Sequence, residues 1–338
     1  MLQLKVEAIK WELPDVATLF FTEISGKLVS YRPGQFITLV FDHHDEEIRR
    51  SYSLSSIPGD PYLAITVKRI ANGEISRFLL TKVKPGDIIN AVEPAGRFFA
   101  GDAQAEKDIF FFAAGSGIVP IYAQLRSIFN AQGKSNITLI YSNRDKESIL
   151  FDDHLDELAK QHPERFKIIH LLSTEANRLT NLVVEELVKK HLRYDFEAAE
   201  FYTCGPFDYM RMIWLTLIYM GFDQGQIRKE NFVLDTVSVA GPSITYPPRR
   251  IRIHFNKETH DLVAGENQSI LQAALQNNIP LPHSCRTGDC STCSAICKTG
   301  KVKLAKNNVL TDADLAAGWI LTCTGHALSD DVVVEFTG

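Results

Sequence analysis

The sequence has no apolar run long enough to cross a bilayer. Its most apolar helix-like stretch is residues 210–220, whereas a membrane helix needs roughly 20 residues, and Arg211 interrupts the stretch. We expect a buried helix that ends at Gly221. The first five residues look like the start of a strand and not like a targeting segment, so the cytoplasm is the expected location.

The sequence also lacks an excess of positive charge. The chain has 36 Lys and Arg against 41 Asp and Glu, a net charge of −5, and no basic block. A nucleic-acid partner is therefore not expected. No internal repeat or low-complexity tract is visible, and 338 residues with an ordinary apolar fraction predict two or three globular domains.

The chain has few cysteines, six in all. Disulfides are typical of short secreted chains, and this chain is long and shows no signal peptide. A structural zinc site usually draws on two close pairs of cysteines, and only Cys290 and Cys293 form such a pair. Both interpretations are therefore disfavoured.

Four of the six cysteines follow the spacing C-x4-C-x2-C and then one distant cysteine, which is the plant-type ligand pattern of a [2Fe–2S] cluster. Small residues in the loop let backbone amides approach the cluster sulfurs, and a separate strand closes the other side. We predict a one-electron carrier whose ligands are Cys285, Cys290, Cys293 and Cys323. Of the two remaining cysteines, Cys297 is expected to be a packed thiol.

The order of predicted strands and helices divides the chain into three domains. Five short strands (around 2–9, 16–23, 35–41, 62–69 and 87–92) and one helix (about 75–80) predict an antiparallel barrel. Continuous apolar strands at 108–114, 137–141, 166–172 and 200–203 alternate with helices and predict a parallel α/β domain. The predicted boundaries are 1–102 for the barrel, 103–236 for the α/β domain, 237–249 for a linker and 250–338 for an α+β domain of the β-grasp type that carries the cysteines.

A possible flavin motif, R-x-Y-S, follows a barrel strand at Arg50, Tyr52 and Ser53. A flavin needs a cation for its phosphate, an aromatic face beside its ring system and a hydroxyl near N5. Strand alternation places Arg50 and Tyr52 on one face and Ser53 on the other, so a local bend is required. A serine-rich strand with one arginine is also common without a ligand.

A second motif, G-x-x-S, lies at Gly73, Ile75 and Ser76. The glycine allows a turn, and Ser76 opens a helix whose amides can hold a pyrophosphate. An ordinary N-terminal helix cap is the alternative.

Two further motifs stand at the carboxyl ends of apolar strands, where parallel α/β sheets bind ligands. They are Gly115, Ser116, Gly117, Ile118 and Pro120 after one strand, and Cys204, Gly205 and Pro206 after another. Glycines let a backbone approach a phosphate, but Pro120 replaces the last glycine of the dinucleotide fingerprint. The alternatives are a plain strand-to-helix turn and a buried cysteine with a Gly-Pro turn.

Ser142 and Arg144 end the second strand of the α/β domain, where the adenosine ribose of a nicotinamide nucleotide would lie. An acid there selects an unphosphorylated ribose, whereas an arginine can accept a 2′-phosphate. The pair therefore favours NADPH over NADH. A solvated loop is the alternative.

Taken in this order, the motifs resemble the ferredoxin–NADP reductase superfamily over almost the whole chain, with a plant-type ferredoxin domain after them. The order resembles the reductase components of multicomponent oxygenases. Within these, residues 318–323 and 328–334 are similar to the reductase subunits of phenylacetyl-CoA epoxidases.

The resemblance implies FAD as the flavin, since residues 73–76 provide a second phosphate site, although reductases of the phthalate dioxygenase type use FMN with the same domain order. It implies that Val67 and Lys68 flank the adenine side of FAD, and that Glu230 and Phe232 lie near the flavin ring. Ser53 would lie beside flavin N5 and Cys204 beside the nicotinamide.

The implied electron path runs from NADPH to FAD, to the [2Fe–2S] cluster and on to an oxygenase or similar acceptor protein, without a general acid or base. Three alternatives remain open. The acceptor could belong to a ring-hydroxylating dioxygenase, or to a membrane desaturase or hydroxylase. The chain could be a ferredoxin-like carrier without enzyme activity, or an interaction module stabilised by zinc.

Overall fold

The chain folds into two compact units, Met1–Glu230 and Asn231–Gly338. The computed structural model describes residues 1–43, 46–71, 73–101, 104–131, 133–232 and 245–336. Most of the predicted linker, residues 237–244, lies outside the described residues, as do the predicted domain ends at 102 and 236. In the described residues, no helix combines the length and the apolar character that a membrane crossing requires.

The first unit begins with an antiparallel barrel. Its six strands are β1 (Leu2–Leu13), β2 (Val16–Glu23), β3 (Phe36–His43), β4 (Glu46–Ser53), β5 (Leu63–Lys68) and β6 (Ile88–Ala95). They pair in the order β4-β3-β6-β1-β2-β5, and an antiparallel bridge between Leu54 and Ile65 joins the two outer strands. The predicted barrel is confirmed, with β4 as a sixth strand whose polar sequence lacks apolar alternation.

Alternating side chains fill the barrel. In β1, Leu2, Leu4 and Val6 are buried while Gln3 and Lys5 are exposed, which is the period-two pattern of a strand with one face on a core. Helix α1 (Glu74–Thr81) adds Ile75, Leu79 and Leu80 to that core.

The second half of this unit is a five-stranded parallel sheet with helices on both faces. The strands are β7 (Asp108–Ala114), β8 (Asn136–Asn143), β9 (Phe166–Leu172), β10 (Glu200–Cys204) and β11 (Ile227–Glu230), and the helices are α2 (Ile118–Asn130), α3 (Asp152–Gln161), α4 (Asn181–His191) and α5 (Phe207–Tyr219). Phe111 faces one core cluster and Phe110 and Phe112 face the other. A strand buried on both faces needs a continuous apolar run, which is why β7 was evident from sequence.

The strand order β11-β10-β7-β8-β9 reverses direction at β7. The chain moves outward through β8 and β9 and then returns to place β10 on the other side of β7. The carboxyl ends of β7 and β10 therefore flank a topological switch point, the position at which open parallel sheets bind ligands.

Helix α2 connects this sheet to the barrel half of the same unit. Gln124 donates to Phe98 O at 3.0 Å and accepts from Ala100 N–H at 2.7 Å. Gly34, with φ +96°, lies against the same place, since a Cβ there would be 2.0 Å from Phe98 O. Arg126 forms a two-bond ion pair with Asp60 at 2.7 and 2.8 Å. These contacts fix the middle of α2 relative to the barrel.

The second unit is a mixed sheet with one main helix. Its elements are β12 (Arg249–Phe255), β13 (Glu258–Ala264), α6 (Ile270–Gln276), β14 (Ser294–Thr299), β15 (Val302–Leu304), α7 (Asp312–Ala316), β16 (Trp319–Leu321), β17 (Gly325–Ala327) and β18 (Val332–Glu335). The main sheet has the order β13-β12-β18-β14-β16, with β12 and β18 parallel. Helix α6 packs Ile270, Leu271 and Ala274 into its core, as in the predicted β-grasp domain.

Candidate functional site

Two loops meet at the switch point of the parallel sheet. A Cβ on Gly117 would lie 2.1 Å from the carbonyl oxygen of Cys204, and a Cβ on Gly205 would lie 2.9 Å from Ala114 Cβ. Only glycine permits backbones to approach this closely. The structure therefore brings together the predicted motifs at 115–120 and 204–206, which are about 90 residues apart in sequence.

Tyrosines that sequence reasoning missed hold these loops. Tyr209 Oη donates to Ala113 O at 3.0 Å and accepts from Ser142 Oγ at 3.4 Å, so it connects the ends of β7, β8 and β10. Tyr141 Oη donates to Gly115 O at 3.1 Å. Burial raises the pKa of both phenols, which keeps them hydrogen-bond donors. A tyrosine three residues after C-G-P was the available signal.

The side chains of the first loop divide into two groups. Gly115 has φ +52° with open space around its α-carbon, and Ser116 is partly exposed. Ile118 is fully buried in the core and its N–H already bonds Gly115 O and Ser116 O, while Pro120 is buried in α2. Gly115 and Ser116 are thus accessible to a ligand, whereas Gly117, Ile118 and Pro120 are buried.

Cys204 and Glu230 form a pair at the ends of β10 and β11, where they are register partners. Cys204 is fully buried, and burial together with the nearby Glu230 carboxyl raises the pKa of its thiol well above the ordinary value. Burial also raises the pKa of Glu230 to about 8. At pH 7 the protonated form is therefore favoured for the thiol and for the carboxyl at these two strand ends.

Ser142 lies near the end of β8 and Arg144 directly follows that strand, and their contact with a ribose stays a prediction. The Arg144 side chain is 80% exposed, and its Nε donates to Asp145 Oδ2 at 2.7 Å. Asp145 also caps the short helical turn at Lys146–Ser148. The Asp145 carboxylate is therefore engaged in the turn that it begins, and the rest of the Arg144 guanidinium faces solvent.

In the barrel, Tyr52 and Ser53 end β4. Tyr52 stands opposite Ile37 and packs against the barrel core, and Ser53 stands opposite Phe36 on the other face. The β3–β4 register is unbroken, so the bend that sequence reasoning required is absent from β4 itself. Ser53 Oγ is buried, and among the described residues no group reaches it with a hydrogen bond. An orphaned buried hydroxyl is costly, so it indicates a position kept for a ligand.

The remaining predicted flavin residues are dispersed around the barrel. Arg50 is exposed and donates one N–H to Arg49 O at 2.8 Å. Val67 and Ile75 are core residues and offer a ligand only backbone atoms, whereas Lys68 is half exposed, 3.8 Å from Asp15. Phe232 is 44% exposed and follows the end of β11 by two residues, and its place near the flavin ring stays a prediction.

The turn before α1 differs from the prediction in one detail. Ser76 does not open the helix, because Gly73 is the N-cap and Glu74 the first helical residue. Ser76 Oγ instead accepts from Ile70 N–H at 3.2 Å and donates to Gly73 O at 3.1 Å. Its hydroxyl therefore shapes the turn, and a phosphate at this end of the helix would meet the first-turn amides of α1.

The four predicted cluster ligands converge in the second unit. The N–H groups of Thr287 and Asp289 each lie 3.4 Å from Cys285 Sγ, and that of Cys285 lies 3.4 Å from Cys290 Sγ. Positive φ values at Arg286, Gly288 and Ser291 turn these amides inward.

Hydrogen bonds from Cys290 and Cys323 lower the pKa of the Cys285 thiol, and one from Cys323 lowers that of Cys293. Contacts of Cys285 with Cys290 and Cys323, and of Cys293 with Cys323, therefore link the four sulfurs, and amides that point at sulfur suit thiolate ligands. This donor set fits a [2Fe–2S] cluster. Cys297 lies apart on β14, as predicted, with its thiol 3.1 Å from Thr299 O.

The sequence matches three domain families in the order of these sites. They are the Oxidoreductase FAD-binding domain over residues 3–99, the Oxidoreductase NAD-binding domain over residues 111–214, and the 2Fe-2S iron-sulfur cluster binding domain over residues 253–327. Fold and sites together define an NAD(P)H-dependent electron-transfer oxidoreductase that uses FAD and a [2Fe–2S] cluster.

Full-length relatives narrow this class. The chain is 33% identical to the ferredoxin reductase component of the 3-ketosteroid-9-alpha-monooxygenase of Mycolicibacterium smegmatis, over 99% of this chain and 97% of that protein. It is 28% identical to one of the subunits of the 1,2-phenylacetyl-CoA epoxidase of Escherichia coli, over 98% and 97% of the two chains. The chain belongs to the family of reductase components of multicomponent oxygenases, within the ferredoxin–NADP reductase superfamily.

A solved structure shares the fold along the full length. Phthalate dioxygenase reductase superposes with a TM-score of 0.61 over 99% of this chain and 98% of its own, at 23% identity. At that identity the likeness concerns the fold alone.

Proposed function

We propose that the chain carries electrons from NADPH to the oxygenase component of a phenylacetyl-CoA epoxidase type of system, and that it acts in the cytoplasm. The observation that supports electron transfer most directly is the convergence of four cysteine sulfurs in a chain that also carries the paired glycine loops at the switch point. The similarity of residues 318–323 and 328–334 to phenylacetyl-CoA epoxidase reductases, and the 28% identity to a polypeptide of one such epoxidase, support the acceptor.

The groups that would hold the flavin are contributed by the barrel. Ser53 Oγ is available for a hydrogen bond to the ring system, Tyr52 provides an aromatic surface, and Arg50 provides a cation for phosphate. The first-turn amides of α1 would receive the second phosphate of FAD. When bound, the flavin accepts two electrons from the nicotinamide and releases them singly, which is the chemistry that the protein itself lacks.

The groups that would hold the nicotinamide nucleotide lie at the switch point. The loops of Gly115–Gly117 and Cys204–Pro206 can accept its phosphates and nicotinamide at close range, because neither loop carries a large side chain at the contact. The buried, neutral Cys204 and Glu230 exclude water and charge from that end of the site. Four cysteines, Cys285, Cys290, Cys293 and Cys323, would hold the cluster.

The preference for NADPH rests on Arg144. Its guanidinium can pair with a 2′-phosphate, because Asp145 occupies only Nε and is itself engaged in capping a turn. We expect Arg144→Ala to raise the KM for NADPH about tenfold and to leave the KM for NADH unchanged. An equal effect on both nucleotides would contradict the assignment.

An anaerobic absorbance titration of the purified protein tests the electron path. NADPH is expected to bleach both the flavin and the iron–sulfur bands, and at lower concentration than NADH. A brown protein without flavin bands, or one that neither nucleotide bleaches, would leave only a ferredoxin-like carrier. A protein that contains zinc and no iron would instead support the alternative of an interaction module stabilised by zinc.

A second acceptor is favoured by one observation, the 33% identity to a 3-ketosteroid-9-alpha-monooxygenase reductase. Reconstitution separates the two acceptors. The reductase is mixed with each purified oxygenase component and its substrate, and NADPH oxidation that depends on the oxygenase is measured together with product. Product formed only with the steroid oxygenase would replace the phenylacetyl-CoA epoxidase proposal.

A further inference from the structure

The three-cysteine loop contains a buried carboxylate. Asp289 directly precedes Cys290, and its side chain is 1% exposed. Lys306 Nζ lies 3.0 Å from Asp289 Oδ2, and Asn308 Nδ2 donates to Oδ1 at 2.5 Å. Carboxylates are rarely buried unless they are paired, and here one short segment satisfies both oxygens.

That segment, residues 305–308, is called the strap below. It also contacts the backbone of the cysteine loop. Asn308 N–H donates to Gly288 O at 3.1 Å, and a Cβ on Gly288 would lie 2.8 Å from Lys306 O. Gly288 has φ +80°, so both its conformation and the lack of space require glycine. The loop therefore lies directly on the strap.

The strap holds the turn of the fourth cysteine as well. Thr324 follows Cys323 in the chain. Its hydroxyl donates to Lys306 O at 2.7 Å, and its carbonyl accepts from Ala305 N–H at 2.8 Å. One four-residue segment thus connects the loop that carries three ligands to the turn that carries the fourth.

The strap also places charge near the cysteines. The Lys306 side chain is 34% exposed, whereas Asp289 is enclosed, so their ion pair is screened only weakly on the side of the loop. The electrostatic effects of two opposite charges at this distance largely cancel at a group that lies further away. Removal of one partner would leave the other charge beside Cys290.

We propose that Asp289 is a positioning residue, which ties the cysteine loop to the strap and, together with Lys306, sets the reduction potential of the cluster. This inference rests on the assignment of the four cysteines as ligands. It predicts two separate effects. The contacts of Asp289 and Asn308 slow the loss of iron, and the balance of charge between Asp289 and Lys306 determines the potential.

The potential is tested by redox titration of the full-length loaded protein at about pH 8, followed by the electron paramagnetic resonance of the reduced cluster. Because reduction adds negative charge, Asp289→Asn should shift the potential upward and Lys306→Gln should shift it downward. The double variant should return close to the original value, and Lys306→Arg should keep it. Potentials that are the same in all variants would overturn the proposal.

The rate of iron release to a chelator tests whether Asp289 holds the cysteine loop on the strap. Asp289→Asn and Asn308→Ala should each lose iron about tenfold faster than the unaltered protein, since a buried partner is left unpaired. The matched control is Arg252→Gln with Asp261→Asn, an exposed ion pair between β12 and β13 of the same unit. This control should change neither the rate of iron loss nor the reduction potential. Equal thermal destabilisation without faster iron release or a shifted potential would make Asp289 a purely structural residue.

Two measurements separate failure of this inference from failure of the proposed function. The unaltered protein should contain about two iron atoms and two sulfides per chain, and Cys293→Ser should lose the cluster spectrum. If either is not observed, the ligand assignment is wrong whatever Asp289 does. If both are observed and the Asp289 variants behave like the unaltered protein, only the role of Asp289 is wrong.

Discussion

At the scale of single residues, the candidate site combines two exposed cations, Arg50 and Arg144, with buried or partly buried polar groups. Ser53 Oγ has no partner among the described residues, and Cys204 and Glu230 are held in their protonated forms by burial. Buried polar groups usually have partners, so groups without a structural bond are the ones whose removal should affect function more than stability.

Ser53→Ala tests this distinction. The change removes a buried hydroxyl that makes no hydrogen bond in the described structure, so the unfolding temperature should stay the same or rise slightly. The rate of flavin reduction by NADPH should fall roughly 10- to 100-fold, the range for loss of one site hydrogen bond. Calorimetry and stopped-flow absorbance measure the two quantities. A large loss of stability with an unchanged rate would assign Ser53 to packing.

Glu230 predicts a dependence of stability on pH. Burial raises its pKa from 4.5 to about 8, so the folded protein keeps a proton that the unfolded chain has already released. The corresponding stabilisation is complete below about pH 4.5 and is lost as the pH rises through about 8. Between about pH 5 and pH 9 the unfolding temperature should therefore fall more steeply in the unaltered protein than in Glu230→Gln.

The control for this experiment is Glu186→Gln on the exposed face of α4, which should leave the pH dependence of stability as it is. Parallel curves for the unaltered protein and Glu230→Gln would mean that Glu230 titrates normally in the folded state.

At the scale of elements, the site depends on the contact between the loops that follow β7 and β10. This contact has no tolerance for a side chain at Gly117, because a Cβ there would be 2.1 Å from Cys204 O. The two loops can separate only if one strand end moves, and the same strand ends carry the groups that we propose to bind the nucleotide.

Gly117→Ala should therefore weaken NADPH binding by about tenfold or more, because displacements of about 1 Å at a binding site have effects of this size. Flavin absorbance should persist, since the barrel residues lie elsewhere. The control is Gly225→Ala, where no atom lies within 4 Å of the added Cβ. Titration calorimetry with NADP⁺ measures the affinity, and equal affinities in the two variants would contradict the role of the contact.

Helix α2 is the second element on which the site depends. Arg126 and Asp60 are 29% and 20% exposed and form a two-bond pair between α2 and the barrel loop. Asp60→Ala leaves the guanidinium without its partner and should reduce the free energy of unfolding by about 2 kcal/mol. Denaturant unfolding measures the change. The exposed pair Glu185 and Lys189 on α4 serves as the control, because Glu185→Ala should cost less than about 0.5 kcal/mol.

At the scale of the whole molecule, the elements that the sequence predicted well are those with one strong signal. The apolar strands β7 and β9 agree with their predicted ranges, and α1 lies within one residue of its predicted ends. Strands β4 and β11 were not in the predicted set, because β4 has only two apolar residues, Ile48 and Tyr52, and β11 has only four residues in all. Both become strands through pairing with neighbours, which a local pattern does not report.

The residues of the candidate site also fall into those that a local sequence signal predicted and those that it did not. The cysteine spacing alone predicted four sulfurs that the structure brings into contact, because three of them share one loop. The roles of Tyr209 and Gln124 depend on strand ends and a barrel loop that are distant in sequence, so no local pattern could show them. The unbroken pairing of β4 with β3 keeps the alternation of side chains up to Ser53, so no bulge brings Ser53 to the face of Tyr52.

The sequence by itself determined the class of chemistry, the order of the three domains and the cysteine ligand set. These follow from local spacing, since loop ligands, glycine turns and apolar strands each act over a few residues. Only the tertiary structure decided which distant groups meet. It placed Gly117 against Cys204, Cys204 beside Glu230, and Asp289 on the strap, because such contacts depend on strand order and packing between segments that are far apart in the chain.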